Sequence, residues 1–152
     1  MLRLASVGSG SKGNATLVAT EETTILIDCG FPVREMLVRL PQLGVDISDI
    51  DAILVTHEHS DHIGGVAAVA KASGAQVFAT HGTVASGKLD AARSLVRIDS
   101  DSSFTIGDIE VNAITVPHDA REPVQYRFHS GASCVGVLTD LGWVSPHVLD
   151  AY

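Results

Sequence analysis

The sequence predicts a mixed α/β or α+β domain, on three observations. Short runs of β-branched and aliphatic residues are bounded by glycine, proline and polar turns, as strands commonly are. Two segments, residues 33–40 and 63–75, instead place their apolar residues at helical spacing. The chain has 152 residues, 45% hydrophobic and 18% charged, which is a globular composition. We therefore expect one domain over residues 1–152.

The first third of the chain predicts a strand, a hairpin and a helix. The segment LRLASV has the composition of a strand. Residues 15–28 are predicted to form a hairpin, because the apolar runs ATLVAT and TTILID flank the polar turn EETT. The segment VREMLVRL is a short amphipathic helix that ends near Pro41.

The remaining elements mix strands with helices. DAILVT has the aliphatic content of a buried strand, and IGGVAAVAKASGA follows it with helical periodicity. QVFAT is another predicted strand. Residues 81–103 are irregular, with a helix predicted at ASGKLDAARSL. The last predicted strands are SFTI, IEVNAITV, VQYRFH and SCVGVLT.

A glycine-rich segment, VGSGSKGNAT, has the spacing of a dinucleotide-binding turn, with glycines at positions 8, 10 and 13. In that turn the third glycine opens a helix whose N-terminus holds the pyrophosphate. Here Gly13 leads into a predicted strand, and no helix is predicted before the acidic residue Asp28. The segment is therefore predicted to be a sharp loop between strands.

Charge, hydropathy and cysteine content exclude several classes of protein. The net charge of −8 argues against a broad surface for gripping phosphates, although bound cations can supply positive charge locally. No apolar run approaches the ~20 residues that span a membrane, and the N-terminus lacks an export signal. We expect a cytoplasmic protein with no membrane association. Cys29 and Cys134 match no metal or redox motif and are expected to be reduced, buried thiols.

The segment HEHSDH, residues 57–62, carries three of the seven histidines and directly follows the strand DAILVT. The carboxyl ends of strands are where open α/β sheets place their sites, and a helix is predicted to begin just after His62. Imidazole and carboxylate together suit Zn²⁺, Fe²⁺ or Mn²⁺. A plain helix cap at Ser60 or Asp61 is the alternative, but four metal-binding side chains in six positions favour a metal site. The candidate ligands are His57, His59, Asp61 and His62.

Three further titratable residues, Asp28, His118 and Asp140, each follow a predicted strand. Strands that end in polar side chains along one rim are expected at a metal site on a sheet edge. The other histidines are expected to be structural or exposed: His81, His129 and His147.

At these residues the sequence resembles the metallo-β-lactamase superfamily, whose motif is H-x-H-x-D-H after a buried strand. More narrowly, SGSKGNAT, ILIDCG, VTHEHSDHIGG, VPHDA and LTDLG, in that order, are similar to the WalJ (YycJ/VicX) branch of nuclease- and phosphodiesterase-like hydrolases. The resemblance covers essentially the whole chain and implies an αββα sandwich. Its relatives continue beyond the point where this sequence stops and carry a later metal-binding histidine. We therefore expect a C-terminally truncated sandwich, whose open edge favours a homodimer that completes the sheet.

The resemblance also implies roles for individual residues. Asp28 would fix the ligand loop from behind, and Ser11 and Asn14 in the glycine loop would contact a phosphate of the substrate. Two divalent metal ions, zinc or manganese or else iron, would be held by six side chains: His57, His59 and His118 for one, Asp61 and His62 for the other, and Asp140 bridging both.

Two cations ~3.5–4 Å apart lower the pKa of a bridging water to ~7 and stabilise the attacking and leaving oxygens. No Ser or Cys nucleophile is then needed, and Asp61 is placed to orient the water or accept its proton. The sequence thus predicts a metal-dependent hydrolase, and the resemblance to the WalJ branch favours a phosphodiesterase or nuclease acting on nucleic acid. A small-ester or thioester hydrolase similar to glyoxalase II, and a non-catalytic metal-binding domain, stay open.

Overall fold

The computed structural model describes residues 1–152 and contains two β-sheets. The first sheet has six strands in chain order, with β1 to β3 antiparallel and β3 to β6 parallel. Its strands are β1 (Arg3–Gly8), β2 (Ala15–Ala19), β3 (Thr24–Ile27), β4 (Ala52–Leu54), β5 (Gln76–Thr80) and β6 (Leu95–Ile98). The second sheet is antiparallel in the order β10-β9-β8-β7. Its strands are β7 (Ser103–Ile106), β8 (Ile109–Thr115), β9 (Val124–Ser130) and β10 (Ser133–Val137).

The helices are short. They are α1 (Val33–Arg39), α2 (Ser60–Ile63), α3 (Val66–Ser73), α4 (His81–Val84) and α5 (Pro146–Ala151). A 3₁₀ turn over Leu40–Leu43 continues from α1, and a second one covers Ile47–Asp49. No helix has the length and apolar character that crossing a bilayer requires.

Alternation along the parallel strands divides the core into two layers. Ile53 and Val55 lie in a cluster with residues of α1 and α3, whereas Leu54 between them lies in a cluster with β8 and β9. Because successive side chains of a strand point to opposite faces, the first sheet is buried on both sides. On β9, Tyr126 and Phe128 are fully buried against it.

The layer order is therefore helices, first sheet, second sheet, as the predicted αββα sandwich requires. Helix α5 contributes to the outer face of the second sheet, where Tyr152 lies beside Gly136 and the Arg127 guanidinium donates to the Ala151 carbonyl. The mixed α/β prediction is confirmed, and so is the hairpin of residues 15–28, which β2 and β3 form.

Two predicted helices differ from the structure. Residues 85–95 contain turns and no helix. Gly87 adopts a left-handed backbone (φ +76°), and the Ser86 hydroxyl forms local hydrogen bonds with backbone groups that a helix would use. The helix predicted after His62 begins earlier, at Ser60, and is interrupted before Val66. At the interruption the Gly65 N–H donates to the Cys29 carbonyl, 2.8 Å away.

The prediction of two buried thiols is half wrong. Cys29 is fully buried, but Cys134 is exposed on β10. Strand β10 is an edge strand, and its outward positions are exposed.

Candidate metal centre

The centre lies at the carboxyl ends of β3 and β4, where Asp28 and His57 follow these strands. Helix α2 then carries Asp61 and His62, with His59 at its N-cap position. Neither Ser60 nor Asp61 caps this helix with its side chain, because His59 is the N-cap residue and no cap hydrogen bond forms. The interpretation of the segment as a plain capped turn therefore loses its support.

Side chains from three segments converge, and their possible ligand atoms form two groups. Within each group the atoms lie within 4.8 Å of one another. One group is His57, His59 and His118, and the other is His57, His62 and Asp140. The Nε2 atoms of His57 and His118 are 3.2 Å apart. Two ligands at ~2.05 Å on a tetrahedral zinc are ~3.3 Å apart, so the spacing suits a shared cation.

Asp140 lies between the two groups. Its Oδ2 is 2.7 Å from His62 Nε2, 3.6 Å from His57 Nε2 and 3.9 Å from His118 Nε2. A carboxylate in this position can contribute to both sets of imidazoles. The Asp140 side chain keeps 39% of its exposure and His118 keeps 18%, so the centre is open to solvent on this side.

Asp61 stands beside the centre and outside both groups. Its Oδ2 is 3.6 Å from His62 Nε2, and its side chain is 30% exposed. From the resemblance, Asp61 is expected to be a ligand together with His62. As the structure stands, the Asp61 carboxylate also faces the amide of Asn14, whose Nδ2 is 3.2 Å away.

The histidines of the centre differ in charge state. Burial, followed by the nearby His62, His118 and His59, lowers the pKa of His57 from 6.5 to about 3, so this ring is neutral and offers a lone pair. Burial also opposes the charged form of His62, but the hydrogen bond and charge of Asp28 and the charges of Asp140 and Asp61 raise its pKa overall. A divalent cation would therefore compete with a proton at His62 more than at His57.

Asp28 supports the centre from beneath. Its carboxylate is 1% exposed and accepts three hydrogen bonds of 2.7 Å each, from the Thr56 N–H, the Thr56 hydroxyl and His62 Nδ1. Burial raises the pKa of the carboxyl, and the bonds from His62 and Thr56 offset part of this. Its backbone is left-handed (φ +57°), an uncommon conformation outside glycine that costs ~1–3 kcal/mol and occurs most often at functional sites.

The glycine loop of the sequence packs against the centre. Gly13 leads directly into β2, as expected for a loop without a nucleotide-binding helix. Asn14 is bound to α2, the ligand helix that carries Asp61 and His62. The Asn14 N–H donates to the Asp61 carbonyl at 2.8 Å, and its Nδ2 is 3.3 Å from His62 Nε2. Ser11 is exposed at the tip of the loop and contacts none of the ligands.

Sequence reasoning missed two residues that hold the ligands in place. Thr56 links Asp28 to the strand end, as described above. Glu58, buried within the motif, accepts the Arg121 N–H at 2.9 Å and so ties the His118 loop to the ligand loop. The position of Glu58 beside His57 was visible in the sequence, but its partner lies 63 residues away.

The remaining histidines lie outside the donor groups. His81 and His147 are exposed beside Asp99 and Asp101, and His129 is half-buried next to Cys134. A surface groove of about 660 Å³ also lies elsewhere, at the opposite end of the first sheet, where it is lined by residues such as Arg3, Thr24 and Asp51. The chemistry of the donors, and not the size of a cavity, identifies the site.

Comparisons with known proteins agree with this geometry. The family model described as metallo-beta-lactamase superfamily matches residues 8–146. The chain is 37% identical to the exodeoxyribonuclease YycJ of Bacillus anthracis over 95% of this chain and 56% of that protein. It is 34% identical to the exodeoxyribonuclease WalJ of Streptococcus pneumoniae over 91% of this chain and 54% of that protein.

The chain thus spans about half the length of the curated relatives it matches. Among solved structures, the Rm3 metallo-beta-lactamase superposes with a TM-score of 0.74 at 22% identity, over 97% of this chain and 66% of that one. The shared fold, the family match and the converging histidines and aspartates lead to one conclusion. The chain belongs to the metallo-beta-lactamase superfamily.

Proposed function

We propose that the chain carries the metal centre of a hydrolase that cleaves phosphodiester bonds in nucleic acid with two divalent cations, zinc or manganese. The position of Asp140 carries this proposal, because one carboxylate oxygen lies within 2.7–3.9 Å of three imidazole nitrogens. A shared carboxylate between two donor groups favours a pair of cations over a single one. Such a pair supplies an acidified water and stabilises charge on the attacking and leaving oxygens.

Side chains of this chain would hold the cations, accept a proton and contact the substrate. His57, His59 and His118 hold one cation, while His62 and Asp61 contribute to the other. Asp61 is also the proposed proton acceptor, because its carboxylate is partly exposed beside the donor atoms. Asn14 and Ser11 are proposed to contact a phosphate oxygen from the glycine loop.

The choice of a phosphodiester rests on the relatives and on chemistry. Two relatives named exodeoxyribonucleases match more than nine tenths of this chain. The net charge of −8 does not oppose this substrate, since cations at the centre, and not Lys or Arg, would face the phosphate. The cytoplasmic location expected from the sequence would bring the chain into contact with nucleic acid.

The proposal also retains the homodimer expected from the sequence. Strand β10 pairs with β9 on one side only. Large apolar side chains stay exposed just beyond it, at Leu138, Trp143 and Val144. Pairing of β10 with a second copy would cover this edge. Light scattering at two concentrations tests this, with a dimer mass expected and a monomer mass at both concentrations contradicting it.

The central test assays the metal-loaded chain on three substrates: single-stranded DNA, bis-p-nitrophenyl phosphate and a thioester, each with Mn²⁺ and with Zn²⁺. We expect turnover of both phosphodiesters. His59→Ala should lose metal and turnover, whereas Asp61→Asn should keep most of the metal and lose turnover. His81→Ala is the matched control, since His81 is an exposed histidine that belongs to neither donor group. Turnover of the thioester alone would favour a thioester hydrolase, and metal binding without turnover a non-catalytic domain.

A further inference from the structure

A chain of hydrogen bonds runs beneath the donor atoms and links two of the histidines. Asp28 Oδ2 lies 2.7 Å from His62 Nδ1 and 2.7 Å from the Thr56 hydroxyl oxygen. The same hydroxyl oxygen is 2.9 Å from His57 Nδ1. A continuous buried row is therefore formed, each member 1% exposed or less, by His62, Asp28, Thr56 and His57.

The number of protons in this row decides their positions. The Thr56 hydroxyl has one proton to donate and two neighbouring acceptor candidates, the Asp28 carboxylate and His57 Nδ1. A hydroxyl and a carboxylate oxygen 2.7 Å apart need a proton between them, and the bond to a charged acceptor is the stronger one. The hydroxyl proton therefore points to Asp28, and the oxygen of Thr56 accepts from His57.

The tautomer of His57 follows from this. A ring that donates from Nδ1 and is neutral has a bare lone pair on Nε2. That atom is the one that faces His118 Nε2 at 3.2 Å and Asp140 Oδ2 at 3.6 Å. His62 donates from Nδ1 to Asp28 in the same way and also turns Nε2 to the centre.

We propose that Thr56 is a positioning residue that fixes the proton of His57 on Nδ1 and so keeps Nε2 free to bind a cation. Through Thr56, the one carboxylate of Asp28 orients two neighbouring ligand rings, whose centroids are 4.3 Å apart. This inference rests on the proposed role of His57 as a metal ligand. Its first readout, the tautomer in the metal-free chain, is independent of that role.

The test compares wild type with Thr56→Val, which keeps the shape and removes the hydroxyl, and Thr56→Ser, which keeps the hydroxyl. Thr83→Val is the matched control, because Thr83 is also fully buried but its hydroxyl contacts only Thr80. Nitrogen NMR of ¹⁵N-histidine-labelled, metal-free chain reports the tautomer of each ring. A His57→Gln spectrum assigns the resonances. Competition with a chromophoric chelator gives the Zn²⁺ affinity.

We expect the Nδ1–H tautomer at His57 in wild type, Thr56→Ser and Thr83→Val, and loss of that preference in Thr56→Val. Zinc affinity should fall about 10–100-fold in Thr56→Val, as when other partners of metal-binding histidines are removed, and stay near wild type in the other two. An Nδ1–H tautomer or wild-type affinity in Thr56→Val would overturn the proposal, and so would a Thr56→Ser variant as weak as Thr56→Val.

Two results separate failure of this inference from failure of the proposed function. If Thr56→Val does not fold, the wild-type spectrum decides alone, since an Nε2–H tautomer at His57 overturns the inference. If wild type binds no zinc at all, the proposed metal centre fails, whichever tautomer is found.

Discussion

Replacement of Gly30 by alanine tests whether the ligand helix is held by close backbone packing. Gly30 follows β3 and lies directly against α2. A Cβ at this position would be 2.0 Å from the Asp61 carbonyl oxygen, 2.5 Å from its carbon and 2.8 Å from the Gly13 Cα. All three atoms belong to the backbone, so no side-chain rotation relieves the contact.

The size of the effect follows from the overlap. Cβ contacts below 3.0 Å are essentially never seen, so Gly30 and Asp61 must separate by about 1 Å or more, as the 2.0 Å contact requires. Overpacking of this kind costs ~1–3 kcal/mol, which lowers the melting temperature by roughly 2–12 °C in a chain of this size. A displacement of ~1 Å of catalytic groups can lower turnover ~100-fold.

Gly74→Ala is the matched control. Gly74 ends α3 with a left-handed backbone (φ +82°), but no atom lies within 4 Å of its Cβ position. Alanine there costs ~1–2 kcal/mol of backbone strain without moving the ligands. Melting curves and phosphodiesterase assays of both variants separate the two effects. Equal turnover of Gly30→Ala and Gly74→Ala would refute the reasoning.

Three further predictions concern charge and access. Asp28→Asn should weaken zinc binding about 10–100-fold and also lower the melting temperature of the metal-free chain, because the amide nitrogen cannot accept the buried bonds that Asp28 Oδ2 accepts from His62 and Thr56. Unchanged zinc affinity in a chelator competition would contradict this. Zinc affinity should fall by up to about tenfold per pH unit below the raised pKa of His62, since the cation must displace the proton of this ring. A zinc affinity that stays constant between pH 8 and 5.5 argues against this prediction. Iodoacetamide should alkylate Cys134 alone at pH 8, because burial raises the pKa of Cys29 to about 12; two adducts on the folded chain in an intact-mass spectrum would be inconsistent with the structure.

Much of the fold could be predicted from the sequence because its strands carry their own pattern. The central residues of TTILID and DAILVT, ILI and AILV, are all apolar and buried, as expected for strands covered on both faces, and both segments contribute strands to the first sheet. The prediction of a helix over residues 85–95 was wrong. The left-handed backbone of Gly87 and the local hydrogen bonds of Ser86 outweigh the helical spacing of the apolar residues there. Periodicity alone does not include such backbone competition.

The candidate site was partly predictable for a similar reason. His57, His59 and His62 are close in sequence, and Asp28, His118 and Asp140 each follow a strand, so strand ends of both sheets bring them to one edge of the sandwich. The contacts that hold these ligands could not be predicted, because they join distant segments. Glu58 binds the backbone of Arg121, and Thr56 binds Asp28, across 63 and 28 residues. Neither of these two contacts is indicated by a pattern in the sequence.

The metal centre is tested most directly by anomalous diffraction from crystals of the chain grown with Zn²⁺. We expect one anomalous peak ~2.0–2.2 Å from ligand atoms of His57, His59 and His118. A second peak is expected in contact with His62 and Asp140. Zinc found only at exposed histidines such as His81, or no peak among the converging side chains, would contradict the metal centre on which the proposed function depends.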